Sequence, residues 1–239
     1  MTNRAKAVAA LASEWAEAGD REGQLAAPVV EALHREGLLG MWVPRTVHGG
    51  AELGPLPSLR ILEEVSYGDA SAGWVLMAAA LATGTGGAYL GDEAVARLFG
   101  HDRLPVIAGQ GTRPGTATPV AGGFRLTGSW SFASGIKHAS HIHTLGVVPG
   151  TGEARIFVLP VSQATLIDNW DVLGLRATGS HEIELAGAHV PPELSASVFT
   201  DPPVQTGPLY AFPLFGREWP IKFDEGATSK ATIAEPAIA

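Results

Sequence analysis

Residues 122–134 read GGFRLTGSWSFAS, and the period of this stretch decides how the rest of the chain is read. Phe124, Leu126, Trp130 and Phe132 fall on one side of an extended strand, with Arg125, Thr127, Ser129 and Ser131 on the other. Gly122-Gly123 in front of them is a hairpin signal. Continued unbroken, the alternation puts Trp130, Phe132 and Ser134 on one side, and Gly135 behind them permits a turn and a close backbone approach. From spacing alone two readings stand. The aromatics either wall a pocket for a flat, hydrogen-bonding heterocycle or fill the core of a barrel.

Period two continues downstream. HIHTLGVV, a PGTGE turn, RIFVLPV, TLIDNWDVLGL and HEIELAGAHV come next as short strands between turn residues, the pattern of a β-barrel or sandwich. Upstream the period is helical. Val8, Leu11 and Trp15 share one face, Pro28 suits a first helical turn ahead of Val29, Val30 and Leu33, and Ser58 is placed to cap a helix carrying Leu59, Leu62 and Val65. Residues 70–91 carry no charge, yet they are mostly Ala, Gly and Thr, which reads as a buried core helix rather than a membrane span. DEAVARLF, closed by Gly100, is a short last helix. The expected fold is therefore α+β: an all-α domain over 1–104, a β-barrel domain over 105–200, and an irregular, proline-rich tail over 201–239.

Composition narrows the function. The formal net charge of −8 argues against nucleic acid as a partner, because phosphate binding needs clustered Lys and Arg. The chain has no cysteine, which removes disulfides, thiolate metal sites and cysteine nucleophiles and fits a cytoplasmic protein. Acidic residues come too early in the N-terminal stretch for a signal peptide. GQGTRPG at Gly109–Gly115 lacks the spacing and the following helix of a dinucleotide fingerprint, and no GxSxG elbow occurs. His138, His141 and His143 invite a metal reading, but no further donor is identifiable, so they read as surface or strand-edge histidines.

Four strings, taken in order, carry a resemblance: GLLGMWVPRTVHGG, EEVSYGDASAGWVL, GSWSFASGIKHAS and WDVLGLRATGSHEIELAGAHVP. Together they resemble the acyl-CoA dehydrogenase superfamily over about residues 5–200. Within it the wording is closest to the flavin-dependent monooxygenase branch, which includes the oxygenase components of 4-hydroxyphenylacetate-type hydroxylases and dibenzothiophene monooxygenase. The resemblance implies a helical domain, a middle β-barrel against which the flavin ring lies, and a C-terminal four-helix bundle. It implies reduced FMN or FAD supplied by a separate flavin reductase, and oxygen transfer to an aromatic or heterocyclic small molecule.

Carried over position by position, the resemblance makes Phe132 and Ser134 neighbours of the flavin ring, with Ser134 as the catalytic contact to flavin N5. Trp130, which opens the same motif, becomes a further flavin contact packed near the ring. Trp74 becomes a substrate-pocket residue shared with Phe132, and Arg176, Thr178 and Ser180 become flavin contacts. Gln110 is added from its place in the preceding strand. Under this reading the three histidines are bystanders.

PLYAFPLF looks like the entrance to the bundle, but the residues beyond it do not continue one, because Pro220 and Gly226 interrupt any long helix. The bundle is therefore expected to be absent, and activity to depend on this remnant or a partner chain completing the site, with an oligomer or partner chain expected as a partner. Two alternatives remain open: Cα–Cβ oxidation of the acyl-CoA dehydrogenase type, or a non-catalytic remnant that binds a partner.

Overall fold

The computed structural model describes residues 1–197, 200–205 and 207–211, together with short paired strands at 221–222 and 232–233; at 110–112, 211 and in those two strands only the backbone is described. Five helices come first: α1 (Thr2–Glu22), α2 (Ala27–Arg35), α3 (Pro55–Gly68), α4 (Ala70–Tyr89) and α5 (Asp92–Phe99). The first four share a core built from Val8, Leu33, Ile61, Val65 and Leu76, whereas α5 packs Ala94, Leu98 and Phe99 into the core of the sheet. Helix α1 ends at Gly23, whose φ of 64° lets its N–H reach back to the Gly19 carbonyl. Trp15 is not on the buried stripe of α1. Ala5, Val8 and Ala12 are, because small residues let α3 come close enough that a side chain at Gly68 would strike the Ala9 backbone.

Helix α3 starts at Pro55 with Gly54 as its cap, four residues before the cap expected at Ser58. Ser58 lies inside the helix, where its Oγ accepts from Trp42 Nε1 at 2.8 Å and donates to the Gly54 carbonyl. The buried stripe of α3 is accordingly Ser58, Ile61 and Val65, and Leu59 faces out. Helix α4 is capped by Asp69, whose carboxylate accepts from the Ser71 and Ala72 amides. Most of its uncharged surface is protein-facing: a side chain at Gly84 would strike the Trp42 backbone, and one at Gly87 would crowd Pro44. Among the described residues no helix is long and apolar enough to cross a membrane.

The β half is one seven-stranded mixed sheet: β1 (Ile107–Val120), β2 (Gly123–Ala133), β3 (His141–Val147), β4 (Ala154–Pro160), β5 (Thr165–Ile167), β6 (His181–Val190) and β7 (Ser195–Ala196), in the order β5-β6-β2-β1-β3-β4-β7. Every pairing is antiparallel except β1 with β3. The β1–β2 hairpin closes at Val120 and Gly123, with Gly122 at φ 77°, as the glycine pair predicts. Leu126 and Trp130 of β2, Leu145 of β3, Phe157 of β4, and Ile183 and Leu185 of β6 meet in one core around which the sheet curls.

Part of the expected tail is ordered against the helices. The Val204 amide bonds the Ala88 carbonyl, and the Tyr210 hydroxyl is shared between the Trp42 and Gly84 carbonyls. The rest of the expected tail, save the short strand pair, lies outside the described residues.

Candidate active site

The two halves of the fold meet along one side of α4, and between them lies a cavity of about 570 Å³. Its helical wall is Trp74, Met77 and Leu81; its opposite wall is made by the end of β2, the middle of β3 and the segment that leads into β6. The volume falls within the span of small-molecule and cofactor sites.

The end of β2 is where the alternation breaks. The β2–β6 register slips between Trp130 and Ala133, and Phe132 sits at φ +63°. A residue with a Cβ in that region costs about 1–2 kcal/mol, which the surrounding structure must offset. The slip sends the two aromatics apart. Trp130 is 0% exposed, inside the sheet core, with Nε1 donating to the Leu145 carbonyl at 3.1 Å. Phe132 is 60% exposed and stands at the cavity edge-on to Trp170, ring centroids 5.9 Å apart. The expectation that Trp130 and Phe132 share a face is corrected on this point. Trp130 is core, and the second aromatic wall is Trp170.

Behind Phe132, Ser134 turns into the cavity. Its Oγ accepts from Trp74 Nε1 at 3.0 Å and lies 2.7 Å from Ser180 Oγ. Ser180 in turn lies 2.7 Å from Thr178 Oγ1. The turn that presents Thr178 and Ser180 spans a 3₁₀ turn, Arg176–Thr178, bracketed by Leu175 and Gly179, both left-handed. Ala177 plugs this turn into the helical core beside Gly19. The Gly135 amide donates to the Thr178 carbonyl at 2.8 Å, so the strings GSWSFASGIKHAS and WDVLGLRATGSHEIELAGAHVP are physically tied.

Trp74, Phe132, Ser134, Thr178 and Ser180 are thus brought together around one cavity. Arg176 is not. Its guanidinium points to the end of α1, bonding the Asp20 carbonyl, and also to Asp171 and the Val172 carbonyl. Gln110 pairs with Thr144 through the β1–β3 ladder, and its side chain is outside the described residues.

Two histidines lie closer to the site than sequence reasoning allowed. His143 lines the cavity, and burial pushes its pKa down to about 4, so it is neutral near pH 7. His181 is buried, and its Nδ1 accepts the Trp170 amide at 3.2 Å, which holds the second aromatic wall in place. Asp168 also stands 3.1 Å from that nitrogen, but an ion pair there needs a protonated ring. Burial first and Lys137 second hold the His181 pKa down, against the pull of Asp168. The period-two pattern of HEIEL puts His181 on the same face as the buried Ile183 and Leu185, and that was the available signal. His138 and His141 are also held neutral by burial, each with a nearby cation contributing. Among the described residues no cluster of His, Asp and Glu suited to a metal ion is found.

Residues 3–99 match the family described as acyl-CoA dehydrogenase, N-terminal domain. The chain is 34% identical over 171 residues to an indole-3-acetate monooxygenase of Pseudomonas putida, covering 69% of this chain and 42% of that protein. Its fold is similar to the 3-HSA hydroxylase of Rhodococcus sp. RHA1, with TM-score 0.80 and 24% identity over 89% of this chain and 57% of that one. It is similar also to XiaF from Streptomyces sp., solved in complex with FADH2 and glycerol, with TM-score 0.76 and 24% identity over 87% and 55% of the two chains. The chain spans about half the length of the relatives it matches.

Proposed function

From the premise that the chain belongs to the acyl-CoA dehydrogenase superfamily, we propose that it is the oxygenase component of a two-component flavin-dependent monooxygenase. In this reading it takes reduced FMN or FAD from a separate reductase and acts on an aromatic or heterocyclic small molecule, in the cytoplasm. The observation that carries the reading is the cavity between α4 and the sheet, where aromatic walls from both halves of the fold face a pair of buried hydroxyls.

The residues present fit a flavin ring. Trp74, Phe132 and Trp170 offer flat apolar surface, and Ser134 offers a buried hydrogen-bonding atom with the backbone turning away behind it at Gly135, φ +76°. When bound, reduced flavin supplies the electrons that activate oxygen. The chain's own contribution would be to hold the ring, to limit water with Trp74, Phe132 and Trp170, and, through Ser134, to hold a proton at a ring nitrogen. Neutral His143 adds a polar group without placing a positive charge in the site. Among the described lining residues none is a carboxylate. The alternative of Cα–Cβ oxidation, which needs a base to take a proton from carbon, has no support from them.

The test is anaerobic titration with reduced FMN and reduced FAD, followed by oxygen labelled with ¹⁸O and a panel of phenols and indoles. The expected result is flavin binding and label in the product. Binding without label would remove the monooxygenase assignment and keep the flavin site. No binding in either redox state would remove both.

A further inference from the structure

Four polar side chains at the cavity form one continuous chain that ends on a backbone carbonyl. Trp74 Nε1–H donates to Ser134 Oγ at 3.0 Å; the Ser134 and Ser180 hydroxyls lie 2.7 Å apart; Ser180 and Thr178 lie 2.7 Å apart; and Thr178 Oγ1 donates to the Leu175 carbonyl at 2.8 Å. The two ends decide how the protons in between must lie. An indole N–H can only donate and a carbonyl oxygen can only accept, while each hydroxyl between them has a single proton to give.

Thr178 gives its proton to Leu175, because two bare oxygens at that separation repel. Thr178 therefore accepts from Ser180, and Ser180 accepts from Ser134. No hydroxyl proton remains for the cavity. After accepting from Trp74, Ser134 has one lone pair left. Ser134, Thr178 and Ser180 are all buried, and the side they present is the cavity. The Leu175 carbonyl also accepts from Trp170 Nε1 and from the Thr178 amide, so the direction rests on the Thr178 hydroxyl: turned away, it would leave two oxygens 2.8 Å apart with no proton between them.

We propose that this one-way chain makes the cavity selective for reduced over oxidised flavin, with Ser180 and Thr178 acting as positioning residues that hold Ser134 as an acceptor. The inference rests on the reading that a flavin occupies the cavity, and it adds what decides which redox form. Reduced isoalloxazine carries a hydrogen on N5, whereas the oxidised ring carries only a lone pair there. An acceptor-only Ser134 complements the first and opposes the second. The selectivity is stored two residues away from the ligand, in Thr178 and its carbonyl anchor.

The experiment is anaerobic equilibrium binding of reduced and oxidised FMN and FAD to the chain and its variants, read as the ratio of the two dissociation constants. Wild type binds the reduced form more tightly. Ser180→Ala frees the Ser134 proton to turn toward the cavity and cuts the ratio roughly three- to tenfold, the span of one net hydrogen bond. A tenfold change equals about 30 mV in the two-electron midpoint potential of the bound flavin. Thr178→Val acts in the same direction, and Thr178→Ser restores the ratio.

A flavin-free readout accompanies these. The Trp74 indole N–H resonance stays in its hydrogen-bonded position in Ser180→Ala and moves toward that of a free indole in Ser134→Ala, which also reports that each variant keeps the site. If flavin binds but neither Ser180→Ala nor Thr178→Val changes the ratio, the chain does not set redox selectivity, and the flavin reading survives. If neither redox form binds wild type while the Trp74 resonance is intact, the flavin reading fails and this inference fails with it.

Discussion

Trp130 and Phe132 stand two residues apart on one strand, and a regular pleat would give them the same surroundings. One is sealed in the sheet core and the other is more than half open to the cavity. Trp130 obeys every rule of the strand. Its ring lies over Gly115 and Gly128, where any side chain would strike it, and its N–H finds a carbonyl. Phe132 breaks the pleat, takes up a left-handed backbone and stands at the cavity against Trp170. Packing explains the first aromatic completely and leaves the second without a reason except the cavity.

The comparison can be broken most forcefully at Trp130. Trp130→Ala should cost about 3–5 kcal/mol of stability in equilibrium denaturation, the range for emptying a core aromatic. A loss below about 1 kcal/mol would mean that the ring is not the keystone of the sheet core.

His143 offers the next largest effect, as a pH dependence. Its pKa falls from 6.5 to about 4 on folding because burial disfavours the charged ring. The unfolded chain therefore takes up the proton first. The contribution of His143 is full above pH 6.5 and is lost as pH drops toward 4, on the order of 3 kcal/mol across that window. The difference in unfolding free energy between wild type and His143→Gln, measured across that window, should show this slope; a flat difference would mean that His143 stays accessible to solvent.

Asp69→Ala removes the cap of α4, the helix that supplies one cavity wall, and should cost about 1 kcal/mol by thermal unfolding. At Phe132 the expected stability change is smallest. Phe132→Gly relieves about 1–2 kcal/mol of backbone strain and loses an edge-to-face contact of about 0.5–1.5 kcal/mol, so the sum lies within about 1 kcal/mol of zero. Flavin binding should nevertheless weaken in that variant. If it destabilised the fold as much as Trp130→Ala does, the contrast between the two aromatics would collapse.

Helices and strands were readable because their periods are carried by many residues at once, and one exception such as Trp15 or Ser58 shifts a face or an end without changing the element. The bulge at Phe132 was not readable, because it depends on the partner strand. Trp130 and Ala133 both pair inward with β6, and the two residues between them have to be accommodated. The same holds for Trp170 and His181. Each sits in a string that was singled out, but their relation is a hydrogen bond from the Trp170 amide to an imidazole, which leaves no trace in spacing. Resemblance, by contrast, singled out Trp74, Thr178 and Ser180, which periodicity left unmarked within a core helix and a turn, whereas alternation had already set Ser134 beside the aromatics.

Trp74, Ser134 and Ser180 reach the cavity from points separated by 60 and then 46 residues. During synthesis, which runs from the N-terminus, the helical half can assemble first. The wall formed by Trp74, Met77 and Leu81 must then wait uncovered until β6 has left the ribosome and the Thr178 turn has locked onto Gly135. The nascent chain therefore carries an apolar face through the making of nearly its whole sheet, and the site forms only after both halves have been made.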